Sequence, residues 1–430
     1  MWWGRRCRLP GYNGVGPPEF PTTMNSRIKY LIVSASSCLA VLLLIGSVLG
    51  QGATPADDPY KHIGVFSDVV SRIKTEYVEE PDMKSVTMGA LNGLLEAIDP
   101  FASYLNAEQY KDYVKNKDLK RADVGLILSK RFGYVAVVGT VPGSPAAKAG
   151  LSTNDMIETI KGIATRDMPL AYAGLLLQGD ADSSVELSVV RVRRPEPQTV
   201  KLTRATLTLP PVEAKMLPGQ VGYINIDALS QAGVKETAAA IEKLQKEGAQ
   251  KLVLDLRSCA VGTPDDGIAL ANLFLSKGLI TYEQGQRVPR QNFDADPSKA
   301  VTSLPLAVLT NRGTASAAEI AAAALLGNKR AQLVGERTYG DASVRRALTM
   351  EDGGAIILSV AKYYSPDGGK AIQDTGVTPG VLVNEPEPQV DVDENGEPLP
   401  GPPEVTPPPQ KKAEDDPVVK KALEVLGVKA

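Results

Sequence analysis

The chain is 430 residues long, with 47 Lys+Arg against 50 Asp+Glu and a net charge of −3; this is room for about three domains of ~150 residues, without the basic excess that marks a nucleic-acid binder. It carries one histidine, His62, and three cysteines, Cys7, Cys38 and Cys259, whereas a structural zinc site needs about four such ligands at close spacing. A disulfide framework is excluded on the same count, no metal or other cofactor is expected, and any histidine-based hydrolase would have to use His62.

Residues Leu31 to Gly50 read LIVSASSCLAVLLLIGSVLG, an uncharged run preceded by Arg27 and Lys29 and followed by Asp57 and Asp58. That pattern fits either a single N-terminal membrane anchor or a cleaved secretory signal, with the basic flank inside. In both cases the remainder faces a non-cytoplasmic space. Met24 is a more natural start than Met1, because it places the basic pair just ahead of the apolar run. Residues 1–55 are therefore read as a leader.

Residues 56–117 carry helical periodicity, in VFSDVVSRI and MGALNGLLEAI, until Asp99-Pro100 breaks it. Residues 118–205 are β-rich: VGLILSK, YVAVVGTV, VELSVVRVRR and TVKLTRATL. Residues 206–385 alternate strands (VGYINID, KLVLDLRS, AQLVGE, GGAIILSVAKYY) with helices (GVKETAAAIEKLQKEG, SAAEIAAAALLG), which predicts an α/β layer fold. Within 386–430, Pro, Glu and Asp dominate up to about 415, with too little apolar surface to fold. A short amphipathic helix, PVVKKALEVLG, closes the chain.

Two constellations carry chemistry. In the first, Val124-Gly125-Leu126-Ile127 is followed by Pro142-Gly143-Ser144-Pro145-Ala146, Ala149-Gly150-Leu151, Asp155, Ile157, Ile160 and Gly162. This resembles a PDZ domain. The resemblance implies that Val124, Gly125, Leu126 and Ile127 form the loop whose backbone N–H groups receive a peptide's terminal carboxylate, beside a strand edge that accepts the peptide as an added strand.

The second is Asn311-Arg312-Gly313-Thr314-Ala315-Ser316-Ala317-Ala318-Glu319-Ile320. Ser316 and Glu319 fit S-x-x-E, a capping box at a helix start. The same Ser316 also fits a nucleophile: a hydroxyl at a helix mouth lies in positive potential, and the N–H of Ala317 would be one donor of an oxyanion hole.

From about residue 60 to 385, together with the last helix, the chain resembles the carboxyl-terminal processing peptidases, exported or membrane-bound serine peptidases with a PDZ domain and a core related to the ClpP/crotonase folds. The matching stretches are AIDPFASYL, the PDZ signature, LVLDLRS, GTASAAEI, LVGERTYG and GGAIILSVAKYYSPDGG. The resemblance implies that Ser316 is the nucleophile, that Gly262 and Ala317 line the oxyanion hole, and that substrates are proteins or peptides with free C-termini. It also implies a lysine base, a group whose pKa falls toward neutrality on burial.

Here the chain departs from the pattern. Asp341 occupies the position of the lysine and Arg345 that of a partner glutamine; the turn after LVLDLR reads Ser258-Cys259-Ala260-Val261-Gly262 instead of Asn-Pro-Gly-Gly; and Phe101 stands where histidine is common. An ordinary Asp titrates at about 3.9, far too low to draw a proton from serine, and a neighbouring Arg345 opposes any rise that burial brings. An Asp341–Arg345 ion pair is the expected arrangement. Lys329, Lys362 and Lys370 lie in the core, and nothing in their spacing places one beside Ser316. Two functions stay open: an exported serine endopeptidase fed by its PDZ domain, and an inactive relative that binds peptides on the same scaffold.

Overall fold

The computed structural model describes residues 59–116, 121–191, 194–384 and 416–428, with a few positions between 26 and 37. Most of the apolar run Leu31–Gly50 and the Pro- and acid-rich segment 386–415 lie outside the described residues. No helix among the described residues is long and apolar enough to cross a membrane. The chain divides into two compact units, Met1–Pro81 and Asp82–Ala430. The first holds the helix Pro59–Glu76.

The second unit opens with helix Met83–Glu96, whose N-terminal N–H groups are satisfied by the Asp82 carboxylate at 3.0 Å (Lys84) and 3.4 Å (Ser85). After the Asp-Pro break comes a short strand, β1 (Ser103–Leu105), then helix Ala107–Asn116. The break is built in: buried Asp99 accepts the N–H of Phe101 at 2.9 Å and of Ser359 at 3.2 Å. This segment is thus tied to residues far along the chain.

The β-rich region holds β2 (Leu126–Arg131), β3 (Tyr134–Thr140), β4 (Met156–Ile160), β5 (Ile163–Ala164), β6 (Ser184–Arg191) and β7 (Arg194–Thr203). They form an antiparallel sheet in the order β2-β3-β4-β6-β7, with β5 on β4. Ser144 caps the short helix Pro145–Lys148, with Pro145 as its first residue, as the turn signature requires. A second helix, Leu170–Leu177, lies beside β2. Alternate strand residues such as Val135, Val137, Ile157 and Leu187 close a core of their own.

The remaining strands are β8 (Glu213–Leu217), β9 (Val221–Asn225), β10 (Lys251–Asp255), β11 (Leu279–Gln284), β12 (Gln291–Asp294), β13 (Leu306–Thr310), β14 (Gln332–Gly335), β15 (Ser343–Thr349), β16 (Ala355–Tyr364) and β17 (Val381–Leu382). A six-stranded sheet runs β17-β14-β13-β10-β9-β8, parallel except for the β8 edge. Its strands are apolar on both faces, as parallel sheets covered on two sides must be. One face packs Ile224, Leu254 and Val308 against helices Gln231–Lys246, Pro264–Asn272 and Ala317–Gly327. The other packs Tyr223, Val253 and Leu309 against the C-terminal helix Pro417–Val425 through Val418, Val419 and Leu423. Arg257 anchors that helix by pairing with Asp416 at 2.7 Å while bonding Asp255 at 2.6 Å. A smaller sheet runs β1-β16-β11-β12, with β15 on β16. The architecture is mixed α/β with a separate β-rich module, the class the sequence pattern predicts.

Helix Pro264–Asn272 crosses the start of helix Ala317–Gly327 with almost no gap: a Cβ on Gly267 would stand 2.2 Å from the Ala317 carbonyl oxygen. Gly→Ala inside a helix ordinarily gains about 1 kcal/mol, but forced overpacking costs about 1–3 kcal/mol and wins here. Gly267→Ala is therefore expected to lower the urea midpoint. An unchanged or higher midpoint would mean that the two helices part without strain.

Candidate active site

Ser316 follows β13 through the turn 311–315 and starts helix Ala317–Gly327. Its backbone is at φ +55°, a conformation that costs a non-glycine residue about 1–3 kcal/mol and persists only where the surroundings enforce it. The surroundings do so by stitching this turn to the one after β10. Asn311 Oδ1 accepts the N–H groups of Ser258 (2.8 Å) and Gly313 (3.0 Å), Thr314 Oγ1 donates to the Leu256 carbonyl (2.9 Å), and the Ala315 N–H donates to the Cys259 carbonyl (3.0 Å). Gly262 closes the second turn at φ +141°, where a Cβ would lie 2.8 Å from Leu229 Cβ and 2.9 Å from Ala317 Cβ. Only glycine fits so close to the helix start. The Ser316 hydroxyl makes no cap hydrogen bond; Oγ donates to the Gly262 carbonyl at 3.3 Å.

Glu319 is the organising group. It is fully buried. Its Oε2 accepts the N–H of Ser316 at 3.1 Å, the half of the capping box visible in S-x-x-E, and also the N–H of Asp341 at 2.7 Å. Its Oε1 accepts the N–H of Gly340 at 2.7 Å and the Thr338 hydroxyl. One oxygen therefore holds the backbone nitrogens of Ser316 and Asp341 no more than about 6 Å apart. Burial pushes the Glu319 carboxyl up to about 7, against the Thr338 and Asp341 donors that favour its ionised form.

Asp341 is buried and its carboxylate pairs with Arg345. Burial raises its pKa; Arg345 opposes the rise, and the charges of Asp99 and Asp374 add to it. The guanidinium of Arg345 lies 4.0 Å above the Phe101 ring, which meets Tyr339 edge-on at 6.3 Å. Among the described residues Ser316 Oγ has no lysine partner. Lys362 pairs with Asp374 at 2.8 Å. Buried Lys130 is held by the carbonyls of Gly133, Thr165 (3.3 Å) and Met168 (3.1 Å). No group of three or more His, Cys, Asp or Glu side chains converges as a metal site among the described residues.

The four residues of the first constellation lie at the start of β2. Val124 is buried in the module's core, and its carbonyl accepts the Ala146 N–H at 2.9 Å. Gly125 has φ +82°, and a Cβ there would meet Ser144 Cβ at 2.3 Å. Its N–H donates to Asp123 Oδ1 at 2.8 Å and its carbonyl accepts from Val141 at 2.8 Å. Leu126 and Ile127 open the strand and pair with Thr140 and Gly139. Ile127 packs against Phe101, Val138, Ala260 and Ala315, so this loop touches the turns that carry Ser316 and Gly262. A groove of about 350 Å³ lies beside β2 and helix Leu170–Leu177, lined by Leu128, Leu170, Gly174 and Gln178 together with Phe101, Tyr113, Arg345 and Ile357. Pro100 closes the far end of the β2 edge by accepting the Lys130 N–H at 2.8 Å.

Sequence reasoning brings Ser316, Ala317, Gly262, Asp341 and Arg345 into one list, and the fold gathers them in one place. It misses the reach of Glu319 to the 338–341 loop and the arrival of Arg345 at the module's groove. Of the four Glu319 contacts only the one with Ser316 is local enough to leave a spacing signal.

Comparison with known proteins matches both the core and the β-rich module. The description "Peptidase family S41" matches residues 220–383, and "PDZ domain" matches residues 137–191. The chain is 32% identical over 352 residues to a carboxy-terminal-processing protease of Bartonella bacilliformis, covering 80% of each chain. It is 34% identical over 322 residues to a carboxyl-terminal-processing protease of Synechocystis, covering 73% of this chain and 75% of the relative. Among solved structures, a photosystem II D1 C-terminal processing protease superposes with a TM-score of 0.61 at 29% identity, over 74% of this chain and 86% of that one.

The raised Glu319 carboxyl makes a pH prediction. The folded protein holds its proton up to about 7, whereas the unfolded chain releases it near 4.3. Between those values the folded state binds more protons, so this group's contribution to stability falls as pH rises, by on the order of 3 kcal/mol at most, and is flat above. Glu319→Gln removes that slope and leaves the Ser316 or Asp341 N–H unpaired, at about 1–3 kcal/mol each. Denaturant titrations of both proteins from pH 4 to 8 should show curves that converge as pH rises; parallel curves would remove Glu319 from the account.

Proposed function

The chain belongs to the carboxyl-terminal processing peptidases, and from that premise we propose that it binds protein C-termini through its PDZ domain and presents the bound chain to Ser316 outside the cytoplasm. The observation that carries this reading is the strained Ser316 backbone at the mouth of helix Ala317–Gly327. A capping serine has no need of φ +55°, whereas a hydroxyl that must stand clear of its helix does. In this reading Ser316 Oγ attacks the scissile carbonyl, and the N–H groups of Ala317 and Gly262 receive the developing oxyanion. Asp341 stands at the base position. The terminal carboxylate rests in the Val124–Ile127 loop, with the peptide laid along β2. The apolar leader supports the exported location, as anchor or signal.

One observation favours a second reading, a peptide-binding scaffold without turnover. Asp341 is paired with Arg345; burial raises its pKa but the guanidinium works against that rise and occupies the carboxylate, which makes it a poor acceptor for a serine proton. Loss of a base typically costs a serine hydrolase several orders of magnitude in rate.

A fluorophosphonate probe followed by mass spectrometry separates the two. The peptidase reading expects labelling at Ser316 that disappears in Ser316→Ala, with measurable cleavage of a peptide substrate. Absence of both in the parent, together with a gain of at least about 10²-fold in cleavage when Asp341→Lys is combined with Arg345→Gln, establishes the scaffold reading.

A further inference from the structure

The groove between β2 and helix Leu170–Leu177 is lined almost wholly by apolar and neutral side chains; its single charged lining residue is Arg345. That residue comes from β15 of the core and not from the module. Its guanidinium has five N–H donors in a planar fork. One Nη2 donor goes to Asp341 Oδ1, and its face rests on Phe101; no other hydrogen-bond partner is found for it among the described residues. About a third of the side chain stays exposed, at 30%. A second polar group lines the same groove without a partner: the buried carbonyl oxygen of Gln178. Spare donors on a partly exposed cation, set among apolar walls, describe a site for an extended peptide that offers a carboxylate.

We infer that Arg345 is a specificity residue that selects peptides carrying an acidic side chain near their C-terminus. This rests on the reading that the PDZ groove takes peptide C-termini. The terminal carboxylate belongs to the Val124–Ile127 loop at the start of β2, so the carboxylate that meets Arg345 is a side chain's. β2 offers its edge only until Pro100 takes the Lys130 N–H. The Leu128 N–H, two residues earlier, points to the same side. This short run places the acidic residue within roughly the last five of the peptide. Asp341 is the internal competitor: it holds one arm of Arg345 in the empty groove, and a bound Asp or Glu uses the other. Arg is suited to this double duty because its fork bonds two carboxylates in one plane.

Fluorescence anisotropy with labelled ten-residue peptides tests the assignment on the full chain. The set holds an apolar free C-terminus with one Glu three residues upstream, its Gln analogue, and both sequences amidated at the C-terminus. The parent is expected to bind the Glu peptide about tenfold tighter than the Gln peptide. The ratio should fall to near one in Arg345→Gln and rise in Asp341→Asn, which releases the guanidinium. Arg345→Gln alone leaves Asp341 buried without a cation and can unfold, so the Asp341→Asn, Arg345→Gln double variant, checked by thermal melting, carries the same expectation of a ratio near one. A ratio near one in the parent, a ratio that survives loss of Arg345, or an Arg345-dependent preference that follows the free C-terminus in place of the Glu overturns the inference alone. Failure of every peptide to bind overturns the peptide-groove reading with it.

Discussion

A single buried carboxylate fixes the geometry on which everything else at this site depends. Glu319 stands at the third position of helix Ala317–Gly327 and gathers four donors, from Ser316 on its own helix and from Thr338, Gly340 and Asp341 on the loop leading to β15. Placing a carboxyl in an apolar interior is expensive, and these four bonds offset it. Helix Ala317–Gly327 is otherwise almost all small residues, buried through Leu325, so no bulky side chain keeps the loop at a distance. The hydroxyl of Ser316 and the side chain at 341 are therefore positioned by one group and cannot shift independently.

The same packing joins residues that lie far apart in the chain. Phe101, the Ser258–Gly262 turn, Asp341 and Arg345 are scattered over some 240 residues of sequence. In the fold Arg345 pairs with Asp341 and stacks on Phe101, while Phe101 shares a cluster with Ala260 of the turn. Asp341 stands next to the Glu319 carboxyl and its charge helps to push that group's pKa up, so a carboxylate buried here calls for a cation. Arg345 supplies it, and the flat Phe101 ring gives the guanidinium a surface to lie on. The changes amount to one reorganised set of contacts with complementary charge and shape.

How much of this the sequence discloses follows from the range of each contact. The helix and strand periods are local, so β9, β10, β14, β16 and the helices at 231–246 and 317–327 are readable in VGYINID, LVLDLRS, AQLVGE and their neighbours. The Ser316–Glu319 half of the capping box is local too, whereas the strained Ser316 backbone is held by bonds to the turn after β10 and leaves no such signal. By contrast β1 has only three residues, Ser103–Leu105, and exists because β16 pairs with it from some 250 residues away; nothing in ASYL distinguishes it from a loop. The bonds from Glu319 to residues 338–341 and the seat of Arg345 in the groove of another module are likewise products of tertiary packing, for which spacing carries no signal. The Asp341–Arg345 pair is the exception, legible because the two residues sit four apart near the start of one strand.

The link between the module and the core has the same physical character as the site itself. Ile127, near the start of β2, packs against the cluster that holds Ala315 beside Ser316, Ala260 of the turn before Gly262, and Phe101. Ser129, two residues along β2, meets the Tyr339 hydroxyl at 2.5 Å, and Tyr339 donates its N–H to Thr314 at 2.9 Å. Close-packed interiors transmit displacement because they have no slack to absorb it. Phe101 and Arg345 line the groove beside β2 and also form the contacts around Asp341, so the two regions draw on the same side chains. Arg345 is the charged side chain common to both: it lines the groove beside β2 and it pairs with Asp341.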